Sequence, residues 1–354
     1  MFLAAAIGNV AINLTKEEEL NDVGLLSETQ VQEVIKLSEG EKLEFDTTKT
    51  FLDLFEGIVK DLPDHPAVVD IFSSYTYKEL DMASDAIATY LLRQGVKKND
   101  FVVIKMDRVK EFAAATLGVY KAGACYVPID PAYPEERIKY MEENSETKFI
   151  LNEAFIEKIL KEVTNPEHVN KATPDGNAYM IYTSGSTGKP KGSILHHKGL
   201  MNVVMGIKAT FGLVPEDRIS AHRSFSFDAH VADFYPVLSS GATLYLIPEE
   251  IRKEPDQIYE FLLKNKITGG SYATAMLRIM HGNYELKQRY ISGGGEALLD
   301  TVSEDVQVYN EYGPTECTVD SSIFTLEKGK NYETIPIGRA MVNGWLFIVD
   351  KAER

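Results

Sequence analysis

The sequence predicts an α/β protein made of two successive βαβ-type subdomains, with mainly parallel sheets flanked by helices. Short apolar runs such as 101–106 and 124–129 alternate with helical segments of ten or more residues, which is typical of parallel βαβ units. The chain has 354 residues, and at roughly 150 residues per domain this length indicates about two to three compact units. Hydrophobic residues make up 44% of the chain and charged residues 25%, near the averages for globular proteins. The composition therefore excludes a fibre or a long disordered tail.

The charge balance and the cysteine count limit the function classes. Lys and Arg total 37 against 53 Asp and Glu, a formal net charge of −16, so we do not expect a nucleic-acid partner. A nucleotide is compatible with this charge, because it needs only a local cationic pocket. The two cysteines, Cys125 and Cys317, give no disulfide framework, which fits a cytoplasmic protein. The most apolar stretch, 2–12, is shorter than the ~20 residues that span a membrane, so we expect an ordinary helix and no membrane partner.

The first half of the chain alternates helices and strands. Residues 1–45 predict two short helices and a polar linker, and 46–180 predict the first α/β subdomain. Thr76 and Glu79 form a capping box that opens a helix running to about Arg93 and ending at Gly95, a residue that tolerates the left-handed conformation. The other elements predicted here are helices at 51–59, 111–121 and 131–144 and strands at 67–69, 75–77, 101–106, 124–129 and 148–152.

The second half, 181–354, predicts another α/β subdomain that carries the functional site. A buried strand at 178–183 leads into it. Further strands are predicted at 242–247, 267–269, 289–292 and 307–310, with helical segments between them.

A hydroxyl-rich and glycine-rich segment directly follows the strand at 178–183. Residues 182–192 read YTSGSTGKPKG, and glycines at this density let successive backbone amides point into one concavity that binds an anion. The serine and threonine hydroxyls and the lysines Lys189 and Lys191 add donors and positive charge. The spacing is not that of the Walker-type loop. We interpret the segment as a triphosphate or pyrophosphate clamp, and the alternative is a flexible linker.

Two further segments offer groups that suit a nucleotide. Residues 291–297 read ISGGGEA, and three glycines after a strand permit close approach of a flat ring or of another backbone. Residues 310–316 read NEYGPTE, so that Tyr312 could stack on a base, Asn310 could bond its edge and Glu316 could hold Mg²⁺. Taken alone, the first segment is equally compatible with a tight strand-to-helix turn, and the second fits a Gly-Pro turn with surface acids better than a nucleotide site.

These segments, in this order, resemble the adenylate-forming enzymes, and more narrowly the adenylation domains of nonribosomal peptide synthetases. The resemblance spans about 50–350 and includes KAGACYVPIDP at 121–131, FDA at 227–229 and IGR at 337–339. It implies the fold of the family's large N-terminal subdomain, and residues 1–45 look like the end of an upstream condensation domain with its linker.

The resemblance implies a reaction in which ATP, with Mg²⁺, and an amino acid form an aminoacyl-adenylate and pyrophosphate. A phosphopantetheine thiol on a carrier protein then takes the acyl group. The nucleophile is the substrate carboxylate, so the protein contributes positioning and charge stabilisation.

The family's nucleotide-binding residues carry over onto matching positions. Lys191, Thr315 and Glu316 would act at the reacting phosphates, with Thr315 at the α-phosphate and Glu316 as the Mg²⁺ ligand. The adenine would lie between Tyr312 and the glycines Gly294 and Gly295, with Asn310 at its amino edge. The phosphate loop would comprise Thr183, Ser184, Gly185, Ser186, Thr187, Gly188 and Lys189.

The amino-acid pocket is carried over in the same way. Asp228 matches the aspartate that pairs with the substrate α-ammonium, a contact worth roughly 1.5–3 kcal/mol. The side-chain pocket would be lined by Ala229, Ala232, Ser271, Ser292, Gly294, Glu311, Val319 and Asp320. Because a buried carboxylate without a partner is costly, Glu311 and Asp320 favour a basic substrate side chain. The alternative is that one acid bonds a neighbour and the substrate is merely polar.

Two other functions compete with this interpretation. The chain could activate another carboxylic acid for coenzyme A, which Asp228 argues against, or it could be a non-catalytic docking or regulatory module. The sequence ends at Arg354, before the positions where the family carries a ribose-binding aspartate and a small C-terminal subdomain with a lysine. Losing one such donor typically costs about 10²–10³ in rate, so we expect these residues to bind substrates but to adenylate slowly.

Overall fold

A computed structural model describes residues 27–184, 189–296, 298 and 305–349. The predicted helix at 2–12 lies outside them. Two compact units are present, one formed by Met1–Lys42 with Arg339–Arg354 and the other by Leu43–Gly338. Within the described ranges, no helix has both the length and the apolar content that a membrane span requires.

The smaller unit contains helix α1 (Glu28–Ser38) and a two-residue strand, Arg339–Ala340. The helix begins with a capping box, in which the Ser27 hydroxyl accepts from the Gln30 amide and the Gln30 side chain accepts from the Ser27 amide. Backbone hydrogen bonds tie the chain after the helix to the C-terminal segment, as from the Leu346 amide to the Ser38 carbonyl at 2.9 Å.

The larger unit contains a five-stranded sheet with the strand order β5-β3-β4-β6-β7. Its strands are β3 (Phe101–Ile104), β4 (Cys125–Pro128), β5 (Phe149–Leu151), β6 (Asn177–Thr183) and β7 (Lys191–His196). All neighbours pair in parallel except β7, which forms an antiparallel hairpin with β6. The helices of this part of the chain are α2 (Phe51–Asp61), α3 (Tyr77–Arg93), α4 (Glu111–Lys121), α5 (Glu135–Asn144) and α6 (Glu153–Glu162).

The second sheet of this unit has the strand order β13-β12-β11-β10-β8-β9-β1-β2. Its strands are β1 (Pro66–Val69), β2 (Ser74–Thr76), β8 (Arg218–Ala221), β9 (Thr243–Leu246), β10 (Gly269–Ala273), β11 (Tyr290–Gly294), β12 (Gln307–Tyr312) and β13 (Ser322–Thr325). The strands β12 to β1 in this order pair in parallel, and β13 and β2 are antiparallel. The intervening helices are α7 (His197–Phe211), α8 (Ala229–Leu238), α9 (Pro255–Lys264) and α10 (Thr274–Asn283).

The predicted α/β class with mainly parallel sheets is confirmed. The predicted domain bounds 1–45, 46–180 and 181–354 stay predictions. The sheets do show one feature that the sequence pattern did not indicate: β1 from the first half of the chain pairs with β9 from the second, and β2 joins this sheet by pairing with β1.

Local signals placed most elements correctly, but strands β7, β8 and β13 were not predicted and one predicted strand lies further along the chain. The capping box forms as predicted, with the Glu79 carboxylate accepting from the Thr76 amide at 2.8 Å. The strand predicted at 267–269 lies instead at Gly269–Ala273. Glycines normally weaken a strand, but a Cβ at Gly270 would clash with the Ser220 hydroxyl of β8. The close approach of two strands therefore requires glycine at a position that the propensity argues against.

Candidate active site

A cavity of about 450 Å³ lies at the carboxyl ends of four neighbouring parallel strands, β8, β10, β11 and β12. Parallel sheets bind ligands at this edge, because the loops after the strands converge there. The cavity is lined by His222, Arg223, Ser224, Phe227, Asp228, Ala229, Arg252, Tyr272, Ala273, Thr274, Ala275, Gly294, Gly295, Glu296, Glu311, Gly313, Val319 and Asp320. Seven of the residues predicted from the sequence are among them: Asp228, Ala229, Gly294, Gly295, Glu311, Val319 and Asp320.

Glycines allow the strand ends to form this cavity. A Cβ at Gly294 would clash with the carbonyl oxygen of Glu311 on the neighbouring strand β12, and a Cβ at Gly313 would clash with the carbonyl oxygen of Val319. The chain after β12 therefore folds back closely, through a short 3₁₀ turn at Thr315–Cys317. This return brings Val319 and Asp320 into the cavity wall.

Asp228 lies in the cavity wall, immediately before helix α8. Burial raises the pKa of its carboxyl group, while hydrogen bonds from the Thr315 side chain and the Ala229 backbone amide act in the opposite direction. Ala232 is buried one turn further along the same helix. The structure thus brings together Asp228 and Thr315, although strands β9, β10, β11 and β12 lie between them in the sequence.

Glu311 has a partner, which corrects one premise of the sequence analysis. The Arg223 guanidinium contacts the Glu311 carboxylate through Nη2 and Oε2, and the two side chains are only 10% and 2% exposed. The Arg223 Nε also lies 3.9 Å from the Asp233 carboxylate. The expectation that Glu311 is a buried carboxylate without a partner is therefore wrong, because this cation comes from the chain itself.

Acceptor atoms in this cluster still lack hydrogen-bond partners within the described residues. They include Glu311 Oε1 and Asp320 Oδ2, both on cavity-lining residues, and both oxygens of Asp233. Burial raises the pKa of Asp320 well above its usual range, and the nearby Glu311 charge adds to this effect. Burial likewise raises the pKa of Asp233 to about 7, although the Arg223 charge opposes it. Burial therefore disfavours the charged forms of Asp320 and Asp233 beside the Arg223–Glu311 ion pair.

The two predicted pocket serines lie behind the ion pair. The hydroxyls of Ser271 and Ser292 are hydrogen-bonded to each other at 2.5 Å. Ser292 Oγ also lies 3.5 Å from Arg223 Nη2. Both serines are buried, and β10 and β11 pair at this position. Ser292 thus approaches the guanidinium, and Ser271 holds the Ser292 hydroxyl.

The predicted phosphate loop connects β6 to β7. Thr183 pairs with Lys191 in the hairpin register, Ser184 is exposed, and the Lys189 ammonium lies 5.7 Å from the centre of the Tyr140 ring. Gly185, Ser186, Thr187 and Gly188 lie outside the described residues. Strand β7 contacts the Thr315–Cys317 turn, so the hairpin approaches the same turn that contacts Asp228.

The residues predicted to bind adenine lie at the ends of β11 and β12. Tyr312 is 46% exposed, which leaves a ring face available for stacking. Asn310 is buried, and its side-chain amide donates to the Pro336 carbonyl at 2.8 Å. Gly294 pairs with Glu311, and Gly295 follows with a φ of +89°.

Glu316 fits the requirements of a Mg²⁺ ligand. Its carboxylate is exposed in the 3₁₀ turn, next to Thr315. Magnesium usually takes one or two protein carboxylates and completes its shell with water and substrate phosphates. A single exposed carboxylate next to Thr315 is therefore a suitable donor, and Glu316 is the residue that would hold the ion.

Sequence reasoning missed Arg223 and Asp233. The signal for Arg223 was a cation two positions after the end of the buried strand β8 and five positions before Asp228. Its partner Glu311 lies on a different strand, and spacing alone could not reveal that contact.

Comparison with known proteins defines the class: the chain belongs to the AMP-binding enzyme family, which matches residues 55–354. Its relatives are nonribosomal peptide synthetases, which confirms the resemblance. It is 32% identical over 358 residues to tyrocidine synthase 2 of Brevibacillus parabrevis, covering 96% of this chain and 10% of that protein. It is 33% identical over 373 residues to gramicidin S synthase 2 of Brevibacillus brevis, covering 96% and 8%. The chain thus spans about a tenth of the length of these relatives.

Solved structures show the same fold. The crystal structure of the nonribosomal peptide synthetase FmoA3 matches with a TM-score of 0.87 at 23% identity, covering 99% of this chain and 41% of that one. The four-domain nonribosomal peptide synthetase AB3403, solved with AMP and glycine, matches with a TM-score of 0.86 at 23% identity, covering 100% and 28%.

Proposed function

We propose that this chain activates an amino acid by adenylation, as part of a nonribosomal peptide synthetase. The observation that carries the proposal is the placement of Asp228 in the cavity wall, beside Thr315 of a turn that the lysine-bearing hairpin contacts. An amino acid has one cationic and one anionic end, and ATP is an anion. This cleft offers an anionic group for the α-ammonium of the amino acid, and cationic groups for its carboxylate and for the phosphates of ATP.

The proposed reaction joins the amino-acid carboxylate to the nucleotide. A carboxylate oxygen attacks the α-phosphorus of ATP, the bond to the oxygen that bridges to the β-phosphate breaks, and pyrophosphate leaves with that electron pair. Asp228 would hold the α-ammonium, and Thr315 would donate to an α-phosphate oxygen. Lys191 would stabilise the charge on the phosphates, as an oriented cation does in a partly dehydrated site. Mg²⁺ held by Glu316 would supply further charge neutralisation.

The larger assembly is part of the same proposal. The acyl group would pass to the phosphopantetheine thiol of a carrier-protein domain, and an upstream condensation domain would be a neighbour. Support comes from the relatives, which are named as synthases of tyrocidine and gramicidin S. Slow adenylation by these 354 residues alone stays a prediction, tested by amino-acid-dependent pyrophosphate exchange.

The side chain of the substrate follows from the acids that remain without partners. The basic side chain predicted from the sequence loses the support of Glu311, which pairs with Arg223. What still supports a donor-bearing side chain is the pair of acceptor oxygens, Glu311 Oε1 and Asp320 Oδ2. An ammonium, an amide or a hydroxyl could satisfy them, so the proposal is an amino acid with a polar, hydrogen-bond-donating side chain.

Calorimetric titration tests the proposed function directly. We expect ATP to bind in the presence of Mg²⁺, and Glu316→Ala to weaken binding only when Mg²⁺ is present. An aminoacyl-sulfamoyladenosine, a stable analogue of the adenylate, should bind more tightly than the same analogue built on an aryl acid, which has no α-ammonium. Equal affinity for both analogues would favour an activator of other carboxylic acids, and no binding of ATP would favour a docking module.

A further inference from the structure

We propose that Arg223 is a specificity-determining residue that acts as a built-in counter-ion in the side-chain pocket. By neutralising Glu311 it makes the pocket select an uncharged side chain with hydrogen-bond donors, such as an amide, over a cationic one. This inference rests on the proposed function and names the substrate class of the same site.

The guanidinium occupies the position that a substrate cation would need. Arg223 lines the cavity and contacts Glu311, and both side chains are nearly buried. A substrate cation that approached Glu311 would have to displace Arg223 or lie beside it. A substrate cation in contact with the Arg223 guanidinium would be repelled strongly, because the two positive charges would be close together and away from bulk water. The place of a substrate cation is therefore already taken.

The surroundings hold Arg223 in that position. Its Nε lies 3.9 Å from the Asp233 carboxylate and its Nη2 lies 3.5 Å from Ser292 Oγ. Ser292 is in turn hydrogen-bonded to Ser271 at 2.5 Å. Moving the guanidinium away would leave Glu311 buried without a cation, which is costly. The ion pair is thus a fixed part of the pocket wall.

The remaining acceptors define what the substrate must supply. Glu311 Oε1 and Asp320 Oδ2 are buried and lack partners within the described residues. A buried polar atom without a partner is unfavourable, so an amide or hydroxyl that donates to these oxygens would satisfy them without adding charge. The raised pKa of Asp320 agrees with a pocket that carries little net negative charge.

Four adenylate analogues test this inference by calorimetry on the whole chain. They are the sulfamoyladenosines of glutamine, ornithine, norleucine and glycine. We expect the wild type to bind the glutamine analogue at least tenfold more tightly than the ornithine analogue. In Arg223→Met, which removes the charge and keeps an unbranched side chain, this ratio should fall at least tenfold or reverse. Arg223→Lys should keep the wild-type ratio, and Arg93→Met, an exposed position, is the matched control.

A double variant protects the test against a folding defect. Arg223→Met with Glu311→Gln removes both charges and should return the ratio toward that of the wild type. The proposal is overturned if the glutamine-to-ornithine ratio is the same in wild type and Arg223→Met, or if the wild type prefers ornithine. The glycine analogue needs no side-chain pocket. If it binds to neither the wild type nor Arg223→Met, the proposed function itself fails and the inference fails with it.

Discussion

Lys121 carries the sharpest prediction about stability, because it is a fully buried cation. Its side chain has no exposed surface, and its ammonium lies 2.6 Å from the carboxylates of both Asp81 and Asp85. The Nδ1 atom of His168 lies 3.4 Å from the Asp85 carboxylate. Removing one partner of a buried ion pair costs about 3–5 kcal/mol, since it leaves an uncompensated buried charge. Lys121→Met leaves two neighbouring carboxylates without their cation, so we expect a loss in the upper part of that range.

Urea denaturation measures the effect, with Lys139→Met as the matched control. Lys139 pairs with Glu143 at 3.9 Å, but these side chains are 74% and 68% exposed, and such surface pairs contribute about 0–1 kcal/mol. We expect Lys121→Met to lower the free energy of unfolding by about 4 kcal/mol and Lys139→Met by less than about 1 kcal/mol. Similar decreases in the free energy of unfolding for the two variants would refute the reasoning, because burial would then not affect how much an ion pair contributes to stability.

Two further substitutions test the packing. Gly294→Ala should lower the free energy of unfolding by about 1–3 kcal/mol, because its Cβ meets the Glu311 carbonyl, whereas Gly57→Ala, in an open helical position, should raise it by roughly 0.5–1 kcal/mol; equal urea midpoints would contradict this. Burial lowers the pKa of His197 to about 3, and both ring nitrogens lack partners within the described residues. In the unfolded chain the imidazole has a pKa of about 6.5 and takes up a proton below that pH, whereas the native ring stays neutral. The free energy of unfolding therefore decreases as the pH is lowered below about 6.5. His197→Phe should therefore gain about 1 kcal/mol more over the wild type at pH 5.5 than at pH 7, and a constant difference in urea melts would argue against it.

Local sequence signals sufficed for much of the fold and for one side of the candidate site. The capping box of Thr76 and Glu79, and the glycine that ends its helix, depend only on neighbouring residues. The hydroxyl-rich and glycine-rich segment at 182–192 is likewise interpreted as a phosphate clamp from its own residues. Asp228 and Glu311 are assigned to the amino-acid pocket only by the resemblance to adenylation domains, because strand β8, which leads to Asp228, was not predicted.

Contacts between distant residues could not be predicted in this way. Arg223 and Glu311 are 88 positions apart in sequence, and nothing in either segment indicates the other. Strand β7 was missed because Gly192 and Ser193 weaken the apolar pattern, and its pairing with β6 supplies what the propensity lacks. The same holds for β1, whose partner β9 lies far along the chain. Tertiary pairing decided each of these cases.

The proposed reaction depends most on the ion pair between the Asp228 carboxylate and the α-ammonium of the substrate. It is tested by the affinity ratio between an aminoacyl-sulfamoyladenosine and its des-amino counterpart, in wild type and in Asp228→Asn. A charge-assisted contact of roughly 1.5–3 kcal/mol corresponds to a ratio of about 10 to 100 in the wild type. We expect Asp228→Asn to reduce that ratio to near one, and an undiminished ratio in this variant would contradict the account.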